Sequence, residues 1–387
     1  MELSKNCKIM IDEVGEEIYS TVFRTMELEE YKDSQIRIMP DVSGGQSITG
    51  FTATIGDCID PGAVGSDAGC GVDGIFLESP IPPDKYALFE HRIRKEIPTG
   101  FDLRKERCFE MRDFYTFLGA EMQRIYQSSQ GKINFIKWSK DKDIEKWLEG
   151  YGFELGKFFR SLGTLGSGNH FIEYDEGSGK YTVFVHSGSR GLGQSFFKRW
   201  RNKGILRGEE MKEYLTALAI VQVYASYNRH LMLEDIKKIL VKMKVGGKII
   251  GEIKTVHNYL DYSDMILRKG AVRAGKGDRF VIPLNMADGI LLCEGLGNED
   301  WNFSAPHGSG RKMSRSKAKE TLDVDEYKEK MNGIYTTGIG RGTIDESPMA
   351  YKDSEMIVEA ISPTCKITER LWPKINIKSG SGNEDDD

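Results

Sequence analysis

The chain has 387 residues, 39% of them hydrophobic and 29% charged, with 54 Lys and Arg against 59 Asp and Glu for a net charge of −5. That balance suits a globular protein with a sizeable core and argues against gross electrostatic coating of nucleic acid, although it leaves room for a local basic groove. No apolar run approaches the ~18–20 residues of a membrane span, residues 1–20 lack the apolar core of a secretory signal, and six scattered cysteines without a C-x-x-C pair predict a reducing, cytoplasmic setting without disulfides.

Residues 6–39 alternate apolar and charged text and end in the strand-like SQIRIMP. Residues 40–75 are glycine-rich but too apolar for a linker, and SITGFTATI within them reads as β. Apolar spacing near 3.6 predicts helix within 109–161, in FYTFLGAEMQRIYQ and DIEKWLEGYGFELGKFFRSL. After GTLGSGNHFIEY, the stretch KYTVFVHSGSRGLG reads as strand then loop. Helices are predicted at 192–203 and 208–243, strands at 249–257 and 278–284, and a further helix in SRSKAKETL. The final SGSGNEDDD, residues 379–387, reads as a disordered acidic tail. With no repeat, no Pro/Ser-rich linker and no regular βαβ rhythm, the expectation is one large α+β domain over 1–378.

Six histidines sort into two groups. His91 and His230 sit in charged helical text and read as exposed helix positions. His170 (GSGNHFIE), His186 (FVHSGSRG), His257 (TVHNYLD) and His307 (APHGSGR) each end or follow a strand-like run beside Gly, Ser or Asn, where a rigid scaffold presents reactive groups. A structural histidine is the commoner explanation for any one of them; four together point to chemistry. In GSDAGCG, Asp67 and Cys70 stand three apart in a loop whose glycines permit tight bending. By itself Asp-x-x-Cys is weak. With the three histidines it makes an Asp/Cys/His₃ set suited to Zn²⁺, Fe²⁺ or Mn²⁺, and a shared thiolate could bridge two ions.

His307 differs, because its neighbours suit phosphate. HGSGR offers unhindered backbone N–H groups and Arg311, and Lys312, Arg315, Lys317 and Lys319 add positive potential. A neutral imidazole nitrogen is a competent nucleophile toward phosphorus when the phosphate charge is neutralised. The bland alternative is a turn histidine before a basic helix. Other nucleotide motifs are missing: GGKIIGE has Glu252 where a phosphate-loop lysine must stand, no G-x-G-x-x-G occurs, and neither GVDG nor MADG has a lysine in the K-x-D-G slot.

The segments MPDVSGGQSITG, DPGAVGSDAGCGVD, GTLGSGNHFIE, VHSGSRGLG, VHNY, RKGAVRA, IPLNMADGILLCEG, SAPHGSGRKMSRSKAK and DESPMAYKD span roughly residues 39–378. In that order the sequence resembles the RtcB family of RNA ligases, as a divergent bacterial-type member. The resemblance implies packed β-sheets surrounded by helices, GTP and two Mn²⁺ ions as cofactors, and RNA bearing 3′-phosphate (or 2′,3′-cyclic phosphate) and 5′-hydroxyl ends as substrate. It assigns the metal ions to Asp67, Cys70, His170, His186 and His257, with Cys70 shared between the two. His307 would take GMP from GTP, pass it to the RNA 3′-phosphate, and the 5′-hydroxyl would then displace GMP. Nucleotide contacts fall to Asn169, Glu173, Asn285, Gly308, Arg311, Tyr351 and Lys378, and phosphate or RNA contacts to Asp41, Arg190 and Arg268. RNA repair or tRNA processing by a cytoplasmic monomer follows, with room for an activating protein partner.

Three residues depart from the family where substrate contacts are expected: Ser43 replaces a loop histidine, and Asn285 and Ile290 stand where serines are common. Ala68 replaces an isoleucine as a packing change. The first three point toward damaged RNA and away from a splicing intermediate. A metal-dependent phosphoesterase acting on RNA ends is the alternative, and a non-catalytic RNA-binding paralogue a third. Retention of the five ligands speaks against the third. His307 speaks against the phosphoesterase, since hydrolysis needs no covalent nucleotide.

Overall fold

The structure, a computed structural model, describes residues 1–12, 14–44 and 48–380, so the tail expected over 379–387 lies outside the described residues from 381 onward. Two large sheets organise the chain. A seven-stranded, wholly antiparallel sheet runs Ile249–Val256, Gly71–Leu77, Tyr181–Ser187, Phe171–Glu176, Cys365–Ile377, Gly289–Gly295, Arg279–Asn285. A six-stranded sheet runs Glu2–Ser4, Cys7–Ile9, Ile36–Ser43, Thr49–Thr54, Ile266–Lys269, Asn258–Asp261, with its one parallel pairing between Cys7–Ile9 and Ile36–Ser43. Antiparallel neighbours need no crossover helices, which is why the sequence lacks a βαβ rhythm.

Alternation along the strands buries both faces of the larger sheet. In Gly71–Leu77 the odd positions Ile75 and Leu77 pack with Met232, Ile236 and Leu240 of the helix Gly208–Met243. The even positions Val72 and Phe76 meet Val281, Ile290, Leu292 and Leu371 from the far strands of the same sheet. The sheet therefore curls on itself, and the Val281 amide donates to Thr255 Oγ1 at 3.0 Å between its two edges.

Register brings the singled-out residues to one end of that sheet. Gly71 pairs with Ser187 and Val256, and His186 pairs with both Val72 and Phe171. Cys70, His170, His186 and His257 thus sit at or beside the ends of adjacent strands. His257 is also the one residue between Ile249–Val256 of the larger sheet and Asn258–Asp261 of the smaller.

The 36-residue helix Gly208–Met243 supports this end from behind. Asn228 accepts from the Gly163 and Thr164 amides (2.7 and 3.0 Å) and donates to the Thr164 and Gly188 carbonyls (3.1 Å each). Arg229 donates to the carbonyls of Gly69 (2.7 Å) and Ser187 (2.9 Å) and pairs with Asp73 at 3.1 Å, both side chains 1% exposed. Burial pushes the Asp73 carboxyl up, and Arg229 is the largest opposing influence. Arg229→Ala would leave a buried carboxyl without its counter-charge and two carbonyls without donors. It is expected to cost about 3–5 kcal/mol in urea denaturation.

The predicted helical region 109–161 is three helices, Met111–Ser128, Asp141–Glu149 and Leu155–Ser161. They are broken where Gly131 and Gly152 adopt positive φ (84° and 59°). The helix predicted at 192–203 is Arg190–Trp200. His91 is exposed as expected, but His230 is half-buried and stacks on Phe117, ring centroids 5.8 Å apart. Among the described residues, no helix is long and apolar enough to cross a membrane.

Candidate metal centre and nucleophile

Four of the singled-out side chains converge at the strand ends. Cys70 Sγ lies 3.2 Å from His186 Nε2 and 3.5 Å from His170 Nε2, and His186 Nε2 lies 3.2 Å from His257 Nε2. The other ring nitrogens fix which lone pairs face inward. His170 Nδ1 donates to the Leu165 carbonyl at 2.8 Å and His186 Nδ1 to the Asn169 carbonyl at 3.2 Å. Both Nε2 atoms therefore present lone pairs toward the sulfur. Burial first, then the charge of Arg190, pushes the His170 imidazole down to about 3. Burial and the neighbouring imidazoles hold His186 and His257 well below the usual histidine range. Neutral rings and a thiol, crowded lone pair to lone pair, suit a cation in their midst, and Cys70, His170 and His186 form a group that could hold a metal ion.

Asp67 stands at the edge of this group. Its backbone carbonyl accepts from the Cys70 amide (3.0 Å), while its carboxylate is engaged by Asn258 Nδ2 and lies 3.8 Å from Lys269 Nζ. It lines the same cavity.

His307 adjoins the group, its ring centroid 4.9 Å from that of His257. It follows the short strand Ser304–Pro306. Asp41, fully buried on Ile36–Ser43, accepts both from the His307 amide (3.1 Å) and from Nδ1 (2.6 Å). The carboxylate fixes the Nδ1–H tautomer and leaves the Nε2 lone pair available. Gly310 is required beside it: at φ +72°, an added Cβ would lie 2.0 Å from the Asp41 carbonyl oxygen.

A cavity of about 1330 Å³ opens over these residues. Its wall also carries Asn169, Glu173, Asn285, Gly308, Arg311, Tyr351 and Lys378. Glu346, which the sequence reading did not single out, gathers several of them. Tyr351 donates to it at 2.6 Å, and Arg315 (2.8 Å), Arg311 (3.3 Å) and Lys378 (3.6 Å) pair with it. Burial opposes its charge, yet Arg315, Lys378 and Arg311 outweigh that and hold the carboxyl at about 2. Lys378 also donates to the Asn169 carbonyl (3.3 Å) and lies over the Phe171 ring at 5.6 Å. Burial raises the Glu173 carboxyl, and Asn376 Nδ2 donates to it. Asp175, two residues along the same strand, is raised well above the usual carboxylate range by burial and by the charge of Glu173. Asn285 is occupied locally, accepting from the Ala287 and Asp288 amides and donating to Asp288 at 2.6 Å.

Arg190 lines the cavity and donates to the Gly100 carbonyl and to Thr164 Oγ1 (3.1 Å). Arg268 does not line it, contrary to the phosphate-binding role expected. It is fully buried, donating to Ser304 Oγ (2.9 Å), pairing with Asp264 (3.0 Å) and Asp261 (3.7 Å), and lying over Tyr259. Its charge is spent inside the fold, where it ties Ile266–Lys269 to the strand leading to His307.

An α+β chain with a metal-capable thiol–imidazole centre, an oriented histidine beside it and a cation-rich cavity wall has the construction of an enzyme for phosphate-bearing ligands. Residues 24–207 and 204–379 match the family described as "tRNA-splicing ligase RtcB". The RNA-splicing ligase RtcB of Escherichia coli K12 is 30% identical over 383 residues, covering 89% of this chain and 90% of its own. The tRNA-splicing ligase RtcB of Aeropyrum pernix is 27% identical over 381 residues, covering 78% and 77%. The chain belongs to the RtcB family.

Proposed function

We propose that the protein joins RNA 3′-phosphate ends, or 2′,3′-cyclic phosphate ends after opening, to 5′-hydroxyl ends, with GTP as the activating nucleotide and Mn²⁺ at the thiol–imidazole centre. The observation that carries this reading is the Asp41–His307 pair set against His257. An imidazole held by a buried carboxylate, with its far nitrogen open beside a metal-capable centre, is suited to attack phosphorus and hold a nucleotide.

The Nε2 lone pair of His307 attacks the α-phosphorus of GTP. The N–P bond forms as the bond to pyrophosphate breaks, and Asp41 stabilises the positive charge that develops on the ring. An oxygen of the RNA 3′-phosphate next attacks the same phosphorus, the N–P bond breaks, and the imidazole is restored. The 5′-hydroxyl oxygen then attacks the activated 3′-phosphate, losing its proton as GMP departs. Cations bound by Cys70, His170, His186 and His257, with Asp67 at the edge, would supply charge neutralisation at the reacting phosphates. Glu173 offers an acceptor for guanine N1–H and N2–H, and Arg311 and Lys378 offer charge to the nucleotide. Arg190 offers charge to the RNA end. The metal-dependent phosphoesterase remains the second reading because its centre would need the same ligands.

The test is joining of a 3′-phosphate RNA to a 5′-hydroxyl RNA with GTP and Mn²⁺, read on a denaturing gel. A joined product that requires GTP is expected. Release of inorganic phosphate without joining would replace the ligase reading by the phosphoesterase.

A further inference from the structure

The cavity is larger than a nucleotide needs, and its wall continues past the thiol–imidazole centre over Phe101, Leu103, Lys157 and Gln194. Phe101 is 60% exposed, so its ring contributes little to the protein's own core. It is displayed on a pinned turn. The Gly100 amide donates to the Gly166 carbonyl (2.8 Å), the Leu165 amide to the Pro98 carbonyl (2.9 Å) and the Arg104 amide to the Arg160 carbonyl (3.0 Å). Arg104 binds the Gly163 carbonyl (2.6 Å) and Asp235 (2.7 Å). The turn is therefore fastened to the 163–170 loop that carries His170.

One guanidinium links Phe101 to the centre. Arg190 donates to the carbonyl of Gly100, next to Phe101, and reaches the His170 ring, since a Cβ on Gly166 would meet both Arg190 Nη1 (2.2 Å) and His170 Nδ1 (2.4 Å). Lys157 on the wall is exposed, as are Lys105 and Arg107 in the same FDLRKER stretch. A fixed exposed ring with Lys157 and Arg190 on the same cavity wall offers a single nucleic-acid strand a π-face for one base and positive charge for its phosphates, while Asp102 and Glu106 in the stretch face solvent.

We infer that Phe101 is a stacking platform for one base of the RNA strand entering the centre, with Lys157 and Arg190 beside its backbone. The inference rests on the RNA-ligase reading above. Neither loop strain nor packing accounts for the ring, because the turn is held by backbone bonds and Arg104, not by the phenyl group.

The experiment is fluorescence anisotropy with a dye-labelled, 3′-phosphorylated RNA hexamer, which reads binding without catalysis. Phe101→Ala is expected to weaken binding about tenfold, as removal of one base–aromatic stack does, and Phe101→Trp to restore it. A series of hexamers, each abasic at one position, locates the contact. The loss caused by Phe101→Ala should vanish for one abasic position and persist for the rest. Loss below twofold, or equal loss across the whole series, overturns the platform. The ligase reading fails separately, if wild-type protein that binds the hexamer gives no GTP-dependent joining.

Discussion

His307→Ala protein incubated with α-labelled GTP and Mn²⁺ will carry no covalent label, while wild-type protein will carry one that is acid-labile and alkali-stable. That stability pattern belongs to a phosphoramidate and separates it from a phosphoester on serine or threonine. Alanine removes the ring whose far nitrogen Asp41 leaves open to attack, so the loss should be complete and not graded. His307 is 19% exposed on its side chain and its structural bond is to Asp41, so the variant should fold and keep its metal. Asp41→Ala is the informative companion. The ring stays but loses the acceptor that fixes its tautomer and orientation, and labelling should slow by about 10⁴-fold, the loss seen when a catalytic histidine loses its orienting carboxylate. Full labelling of His307→Ala would move the nucleophile elsewhere and end the mechanism proposed here.

The strand-end histidines were legible because β structure and glycine-rich turns both leave strong local marks. His170, His186 and His257 each close or open a strand, and register alone brings them together. The helix 208–243 was legible to the residue from its long apolar text, yet the clamp it carries was not. Asn228 and Arg229 sit in YNRHLMLED, which reads as exposed, charged helix. Their burial depends on two loops 40 or more residues away in sequence meeting that turn of helix, and nothing local announces it. Arg268 misled for the converse reason. Its motif advertises a free cation, whereas Asp261 and Asp264 across the hairpin neutralise it within the fold. Glu346 was hidden in a 3₁₀ turn, where no periodicity marks a buried face. Asp175 could have been found, since two residues along a strand share a face and Glu173 was already singled out.

Cys70→Ala is expected to strip the metal centre and, with it, nucleotide uptake. The sulfur is the atom that both His170 and His186 approach, at 3.5 and 3.2 Å, so its removal leaves imidazole lone pairs facing a gap. Loss of a supporting hydrogen bond around a metal ligand costs about 10–100-fold in affinity, and loss of the ligand itself should exceed that. Equilibrium dialysis against Mn²⁺ would read the stoichiometry directly. Cobalt substitution adds a signature that a merely destabilised fold could not imitate: a thiolate-to-metal charge-transfer band present in the wild type and absent from Cys70→Ala. Cys70 is 3% exposed and its alanine replacement removes a single buried atom, so the chain should tolerate the change. Adding back Mn²⁺ at high concentration should rescue labelling only in part, because an ion held by the imidazoles with Asp67 at the edge lacks the thiolate that offsets much of its charge. A Cys70→Ala protein that binds cobalt with the wild-type spectrum would show that the thiolate is not a ligand, and the assignment of the whole centre would then have to be rebuilt around Asp67.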